Sequence, residues 1–178
     1  NTEMVGIKGG RLYRWPIGST GREVVRELDE PGGVLWPRAD PEGDVVVYVS
    51  KTSVNAGDIH WVKLSDGIVR RHMSTSSREW APSAFQGRLA FEGTGGISLG
   101  RLDSSSAQTL GSPRAQYPTV RSDGVWFTQP RGVGGVLWWV PDVGPPVVSP
   151  VMQMGLGPVS AGSFGAVVCP LVNRGVVW

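Results

Sequence analysis

The two histidines of the chain are the first residues to weigh for catalysis. They are His60 and His72, so their number excludes a catalytic zinc site built on three histidines. His60 stands between Ile59 and Trp61 on an alternating segment, so its side chain is expected to point away from theirs. Nothing nearby in the sequence is expected to orient either histidine as a base. We therefore predict that this chain has no catalytic residue and is not an enzyme by itself.

Nucleophile and phosphate-binding motifs are incomplete in this chain. Ser160 is followed by Gly162, but Pro158 replaces the first glycine that a G-x-S-x-G nucleophile elbow requires. The segment 155–160 ends in serine where the dinucleotide-binding motif G-x-G-x-x-G needs glycine. The phosphate-binding pattern G-x-x-x-x-G-K-[ST] is absent from the sequence. We therefore expect no cofactor.

Three alternating carboxylates, Asp40, Glu42 and Asp44, offer the strongest pattern for a metal ion. An EF-hand calcium loop needs glutamate at its twelfth position, where this sequence has Lys51. The pattern fits better with a Pro-x-Gly hairpin turn that Asp40 caps through its own backbone. Cys169 is the single cysteine, which excludes a multi-cysteine zinc site and predicts a small buried side chain. No metal site is predicted.

Aromatic residues are the remaining candidates for a binding role. Trp36, Trp80 and Tyr117 occupy similar places in repeated segments, and Trp138 and Trp139 are neighbours on an apolar stretch. Repetition at one place favours packing between the repeated units. The other interpretation is a ring of aromatic side chains on one face, suited to stacking on a sugar or a peptide. Trp138 and Trp139 should lie on opposite faces of a strand.

Composition limits the elements that position these residues. The chain has 178 residues, of which 40% are hydrophobic and 18% are charged. It contains 26 glycines and 14 prolines, which interrupt helices and argue against a helix bundle. The chain is too apolar for wholesale disorder. An all-β domain is the class that remains.

Charge and hydropathy exclude two kinds of partner. The net charge is +2, and the cations are scattered with one adjacent pair, Arg70–Arg71, so nucleic acid is not expected as a partner. The most apolar stretch, 133–151, is interrupted by Asp142 and by prolines. A membrane helix needs about 20 apolar residues without such breaks, so no membrane span is expected.

The chain repeats one short pattern four times. Each copy has a proline, a short gap, a turn that contains glycine, and an apolar run rich in β-branched and aromatic residues. The turn glycines are 44, 37 and 41 residues apart, close to the period of about 40–45 residues of four-stranded propeller blades. They are Gly43, Gly87, Gly124 and Gly165.

The segment Asp40-Pro41-Glu42-Gly43-Asp44-Val45-Val46-Val47-Tyr48 resembles the Ser-Pro-Asp-Gly turn and following strand of TolB-like (WD40-like) β-propeller repeats. The segment 59–71 resembles the third strand, turn and fourth strand of the same repeat. The resemblance implies a β-propeller or partial propeller of four-stranded antiparallel blades. It also implies a scaffold for protein interactions, often in the cell envelope, which suggests a periplasmic or extracellular place.

The repeat divides the chain into one propeller-like domain, 1–178, in which about 4.5 blades are visible. The full units are expected at 31–73, 74–112 and 113–150, and the partial units at 1–30 and 151–178. Because a closed ring needs whole blades, we expect further chain segments or another subunit to complete it.

Three functions follow as hypotheses from this architecture. The first is a non-enzymatic scaffold that binds a protein or peptide through one face of the propeller. The second is a carbohydrate-binding propeller that uses the repeated tryptophan and tyrosine side chains. The third is the propeller portion of a larger hydrolase, with the catalytic residues outside this chain. A fold alone does not choose among them.

Overall fold

A computed structural model gives the structure of this chain. It consists of β-strands, turns and loops, and none of the residues that it describes is helical. None of the described residues forms a helix that could cross a membrane. The all-β prediction is confirmed. The described residues are 3–16, 18, 20–40, 44–51, 57–72, 78–131, 134–142, 147–153, 160–161, 167–171 and 175–177.

Among the described residues, eighteen strands form five antiparallel sheets, which we call blades 1 to 5 in chain order. Blades 2, 3 and 4 each have four strands, and each strand pairs with the next one along the chain. The four-stranded antiparallel blades of the predicted propeller are therefore confirmed. Their strands are β4 (Val34–Ala39), β5 (Val45–Lys51), β6 (Gly57–Lys63), β7 (Val69–Arg71), β8 (Trp80–Phe85), β9 (Arg88–Gly93), β10 (Gly96–Arg101), β11 (Ala107–Leu110), β12 (Gln116–Arg121), β13 (Gly124–Arg131), β14 (Gly134–Pro141) and β15 (Val147–Gln153).

Blades 1 and 5 have three strands each among the described residues. The arrangement therefore amounts to a partial propeller, as predicted. Cys169 lies in β17, whereas the turns predicted at Gly43 and Gly165 lie outside the described residues. The strands of these two blades are β1 (Glu3–Lys8), β2 (Arg11–Pro16), β3 (Glu23–Glu27), β16 (Ser160–Ala161), β17 (Val167–Leu171) and β18 (Gly175–Val177).

The hairpin between β8 and β9 shows why the repeated glycine is needed. Gln86 and Gly87 form its two-residue turn, with φ of 49° and 78°. Positive φ at both central positions matches the twist of the two strands and is easily adopted by glycine. The turn also receives support from blade 2, because the Asp40 carboxylate accepts a hydrogen bond of 2.7 Å from the Gln86 amide.

A bulge interrupts the first strand of each four-stranded blade. The pairing register shifts between Leu35 and Arg38, between Trp80 and Ser83, and between Gln116 and Thr119. Each shift surrounds a proline, which has no N–H to donate to the ladder. The residue just before each proline has positive φ: 52° at Trp36, 46° at Ala81 and 55° at Tyr117.

The bulge corrects the predicted equivalence of Trp36, Trp80 and Tyr117. Trp36 and Tyr117 immediately precede a proline, but Trp80 stands one residue earlier. Ala81 therefore occupies the structural place of the two aromatic residues in blade 3. The repeats were matched by their large aromatic residues, whereas the positive φ occurs at the residue directly before the proline.

Three apolar clusters hold successive blades together. Leu12 of blade 1 packs with Val46 and Tyr48 of blade 2, and Leu89 of blade 3 packs with Val47 on the other side of blade 2. The third cluster joins blades 3 and 4. Strand β5 is buried on both faces, which explains its unbroken apolar sequence. The third cluster consists of Phe85, Ala90, Ile97, Leu110, Ala115, Val120, Val125 and Phe127.

Buried carboxylates add polar links between the same blades. Glu79, which is 1% exposed, precedes blade 3 and accepts a hydrogen bond of 3.1 Å from the Ile59 amide of blade 2. An exposed pair also links blades 3 and 4, because Arg88 of β9 donates to Asp142, which lies between β14 and β15, at 2.8 Å. Buried polar groups are stable in such a core because they are hydrogen-bonded.

Candidate functional site

The bulges bring two aromatic side chains from separate blades into contact. Trp36 of β4 and Tyr117 of β12 have ring centroids 5.9 Å apart and planes inclined by 44°. Blade 3 lies between their blades, since β8 contacts both β4 and β12. At the equivalent place β8 has Ala81, which is 1% exposed. The small alanine side chain leaves room for the two rings to meet across blade 3.

The backbone at this contact is held in an unusual conformation. A bulky residue with positive φ is a true outlier, and each such residue costs about 1–3 kcal/mol. The structure places Trp36 and Tyr117 in this conformation at the same point of their strands. Outliers of this kind cluster at ligand-binding places, where the surrounding structure enforces them. Trp36 is 37% exposed, and among the large apolar residues that the structure describes only Val24 and Ile68 are also exposed.

A polar layer lies directly after the prolines. Arg38 and Thr119 follow Pro37 and Pro118, and the Arg38 guanidinium donates to the Thr119 hydroxyl at 3.2 Å. Burial lowers the pKa of Arg38. In blade 3 the corresponding residue is Ser83, whose hydroxyl accepts a hydrogen bond of 3.1 Å from the Val120 amide. The layer therefore ties the first strands of three blades together.

Glu92 connects Trp80, the third aromatic residue of the predicted ring, to the contact between Trp36 and Tyr117. Its Oε1 accepts a hydrogen bond of 2.8 Å from the Tyr117 amide, and Trp80 is its direct partner across the β8–β9 pair. The Arg78 guanidinium lies over the Trp80 ring, 4.9 Å from its centroid. Burial raises the pKa of Glu92, against the opposing effects of the Tyr117 amide and the Arg78 charge. We call Trp36, Trp80, Glu92 and Tyr117 the aromatic face.

The other two predicted aromatic residues lie elsewhere. Trp138 stacks on Phe127 with centroids 6.4 Å apart and packs against the cluster between blades 3 and 4. Trp139 stacks on Trp126, its direct partner across the β13–β14 pair, with centroids 5.7 Å apart. The two neighbouring tryptophans thus belong to different stacks, and neither is part of the aromatic face.

A second polar cluster, missed by sequence reasoning, surrounds Glu30 between blades 1 and 2. Its carboxylate receives hydrogen bonds from the Tyr48 hydroxyl at 2.9 Å, from the Ser50 hydroxyl, and from His60 Nδ1 at 2.7 Å. The side chains of Glu30 and His60 are only 8% and 17% exposed. Glu30 and His60 are 30 residues apart, so no local motif could have revealed the pair.

The hydrogen bonds decide the ionisation of this cluster. Burial by itself raises the pKa of Glu30, but the bonds from Ser50, His60 and Tyr48 outweigh it and hold the pKa below its usual value. Burial and the bond to Glu30 raise the pKa of Tyr48. The carboxylate is therefore ionised and the phenol is neutral at pH 7.

The Glu30 cluster lacks the arrangement that activates a nucleophile. Ser50 donates to Glu30, and no described serine, threonine or cysteine side chain bonds to His60. The second histidine, His72, bonds through Nδ1 to the Leu102 carbonyl at 3.2 Å and packs edge-on against Phe91. No group of three metal-ligating side chains occurs among the described residues. Both histidines make contacts between neighbouring blades.

These sheets, with their repeated bulges and interblade clusters, define a propeller of four-stranded antiparallel blades. No protein-family model matches the sequence, and no curated protein matches it either. Solved structures do match. A TolB from Agrobacterium tumefaciens superposes with a TM-score of 0.59 at 16% identity, covering 78% of this chain and 55% of that protein.

A second match is oligopeptidase B from Trypanosoma brucei, solved with covalently bound antipain in its closed form. It superposes with a TM-score of 0.57 at 12% identity, covering 90% of this chain and 27% of that protein. At such identities the likeness establishes the fold, and it confirms the TolB-like propeller predicted from the repeats. The chain spans about half the length of the TolB and about a quarter of the peptidase.

Proposed function

We propose that this propeller binds a protein or peptide partner through the aromatic face. The observation that carries the proposal is the contact of Trp36 with Tyr117 on two strained bulges of separate blades. Aromatic anchors on a rigid frame are the usual energetic centres of protein interfaces. Trp36 offers the partner an exposed part of its indole surface.

The described polar groups are better suited to a binding role than to a catalytic role. His60 and His72 are engaged in contacts between blades, and the carboxylate of Glu30 accepts three hydrogen bonds. By contrast, the aromatic face combines exposed ring surface with a half-buried carboxylate. This combination is suited to recognition and needs no chemical step.

Selection of peptides on the intact chain tests the proposal. A display library of random linear peptides would be panned on the protein, and the affinities of the selected peptides compared between wild type, Trp36→Ala and Tyr117→Ala. We expect each substitution to weaken binding about tenfold or more, because it removes an aromatic anchor. Ile68→Ala is the matched control, since Ile68 is 52% exposed and lies outside the aromatic face.

Three results would count against the proposal. Selected peptides that bind Trp36→Ala and Tyr117→Ala as tightly as wild type would place the binding surface elsewhere. An equal loss of binding in Ile68→Ala would also place the binding surface outside the aromatic face. Binding of a glycan array, with no peptide selected, would favour the carbohydrate-binding alternative that stacks sugars on the same rings.

A second candidate is the propeller portion of a larger hydrolase. It is favoured by the match to oligopeptidase B, which covers 90% of this chain and only 27% of that peptidase. In that case the aromatic face would bind a substrate peptide or a neighbouring catalytic domain. Peptidase activity of the protein purified from its source, traced to a longer polypeptide that contains this chain, would establish it.

A further inference from the structure

We infer that the aromatic face recognises a cationic side chain, lysine or arginine, of the partner peptide, with Glu92 as its counter-ion. The inference rests on the proposed function and specifies its ligand. The Trp36 ring contacts the Tyr117 ring, and the Glu92 carboxylate near the end of β9 accepts a hydrogen bond from the backbone amide of the same Tyr117. Aromatic faces and a carboxylate together form an environment that suits a cation.

The Glu92 carboxylate has capacity for a ligand. Oε1 accepts the Tyr117 amide at 2.8 Å, and Oε2 accepts no hydrogen bond from the described residues. A half-buried carboxylate with one partner is incompletely compensated for the loss of water. An incoming ammonium or guanidinium group would supply that compensation through a charge-assisted hydrogen bond.

The ring geometry is compatible with a cation at the same place. The planes of Trp36 and Tyr117 are inclined by 44°, so the two rings present their faces at an angle and not as a closed stack. A cation within about 6 Å of an aromatic centroid is attracted by the negative ring face, most strongly by tryptophan. The exposed part of Trp36 leaves one approach open to solvent.

The chain itself already places a cation in this kind of environment. The Arg78 guanidinium lies 4.9 Å from the Trp80 centroid, and its charge is attracted to Glu92. Trp80 and Glu92 are direct partners on adjacent strands. Arg78 thus shows that the surface near Glu92 accommodates a guanidinium over an indole ring. It also competes with an incoming cation for the same carboxylate.

An anionic ligand is the main competing occupant, because Arg38 lies close by. Arg38 is in the layer beyond the prolines, where its guanidinium donates to the Thr119 hydroxyl. Glu92 instead bonds to the backbone amide of Tyr117, which carries one of the two rings. Because the carboxylate bonds to a residue of the ring pair and the guanidinium to a residue two positions further along β12, a cation is favoured at the aromatic face.

Capped tripeptides test the inference on the intact chain. The probes are acetyl-Ala-Xaa-Ala-amide peptides with Xaa as lysine, norleucine or glutamate, titrated while the indole N–H signals of Trp36 and Trp80 are followed by NMR. We expect the lysine peptide to shift these signals with an affinity about tenfold higher than the norleucine peptide. Glu92→Gln should remove this preference by lowering the affinity for the lysine peptide.

Two further variants make the test decisive. Glu27→Gln is the matched control, because Glu27 is an exposed carboxylate paired with Arg11 at 2.8 Å, away from the aromatic face. It should keep the preference for lysine. Arg78→Met removes the competing guanidinium and should raise the affinity for the lysine peptide. This variant provides a separate measurement should Glu92→Gln fail to fold.

The outcomes separate this inference from the proposed function. Equal shifts by lysine and norleucine peptides, lost in Trp36→Ala, would overturn the cationic ligand and leave peptide binding intact. Preference for the glutamate peptide would assign the site to an anion at Arg38 and overturn the inference. If Arg78→Met binds the lysine peptide no more tightly than wild type, the proposed competition between Arg78 and the ligand for Glu92 is contradicted. Absence of any response that depends on Trp36 would refute both proposals.

Discussion

Glu30 shows how a single buried charge can join two blades. It lies in the connection between β3 and β4 and accepts three hydrogen bonds from residues of β5 and β6. Because its own segment connects blade 1 to blade 2, the carboxylate fixes that segment against the blade 2 sheet. Its lowered pKa means that the folded state favours the ionised form.

Replacing Glu30 by alanine should destabilise the protein by about 2–4 kcal/mol. The loss would leave the Tyr48 hydroxyl, the Ser50 hydroxyl and the His60 ring nitrogen buried without their acceptor. Urea unfolding measures the change, and Glu23→Ala is the control because Glu23 makes an exposed pair with Arg14. Equal effects of the two substitutions would show that the cluster does not stabilise the fold.

The His72 side chain should make stability depend on pH. Burial lowers its pKa from the ordinary value of 6.5, although the Leu102 carbonyl acts in the opposite direction. The unfolded chain therefore binds a proton that the folded chain does not, so stability is complete above 6.5 and falls as the pH drops from there towards the folded pKa.

Melting temperatures of wild type and His72→Gln between pH 7.5 and 5.5, about one unit either side of the ordinary histidine value, measure this dependence. The variant should lose the part of the acid sensitivity that begins near 6.5. Glu30 contributes a separate loss at lower pH, because its pKa lies below 4.5. An identical pH profile in both proteins would mean that His72 is protonated equally in the folded and unfolded chain.

At the scale of elements, each blade depends on close approach of its strands. Gly124 begins β13 with φ of 152°, and an added Cβ would lie 2.3 Å from the Val140 carbonyl oxygen and 2.8 Å from Trp139 Nε1. Val140 and Trp139 belong to the paired strand β14, whose backbone cannot move aside without breaking the ladder. Glycine is therefore required by space as well as by conformation.

Gly124→Ala should destabilise the protein by about 2–4 kcal/mol and disturb the stack of Trp126 on Trp139. Unfolding in urea gives the first quantity, and near-ultraviolet circular dichroism reports the second. Gly95→Ala is the control, because its added Cβ would make an ordinary contact of 3.5 Å with Thr109. A near-native spectrum and stability for Gly124→Ala would contradict the close approach of β13 and β14.

At the scale of the whole molecule, the blades are coupled by the clusters between them. Leu89 belongs to blade 3 but packs in one cluster with Val45, Val47 and Ile59 of blade 2. Blade 2 is covered on both sides, by blade 1 and by blade 3. Stability is therefore a property of neighbouring pairs of blades more than of single sheets.

Leu89→Ala should cost about 2–5 kcal/mol, because it leaves a cavity in this shared cluster. Hydrogen exchange should become faster in β5 and β6 of blade 2 as well as in β9 of blade 3. Val24→Ala is the control, since Val24 is 46% exposed on β3. Faster exchange confined to blade 3 would show that the two blades unfold independently.

The sequence by itself determined the parts of the fold that depend on local chemistry. Pro82 and Gly87 mark the first strand and the hairpin of blade 3, and the apolar run from Val45 predicts a strand buried on both faces. These signals work because proline restricts its own backbone and glycine readily adopts positive φ, wherever the rest of the chain lies. The repeated spacing of such signals was sufficient to predict a propeller.

Only the tertiary structure decided which distant residues meet. Trp36 and Tyr117 come together because a bulge aims each ring and Ala81 of the intervening blade is small. Glu30 reaches His60 because blade 2 folds against the segment that precedes it. Contacts of this kind depend on the stacking of blades and on register shifts of one residue, which no local pattern encodes. For that reason the repeat predicted the propeller, whereas the aromatic face emerged from the packing of its blades.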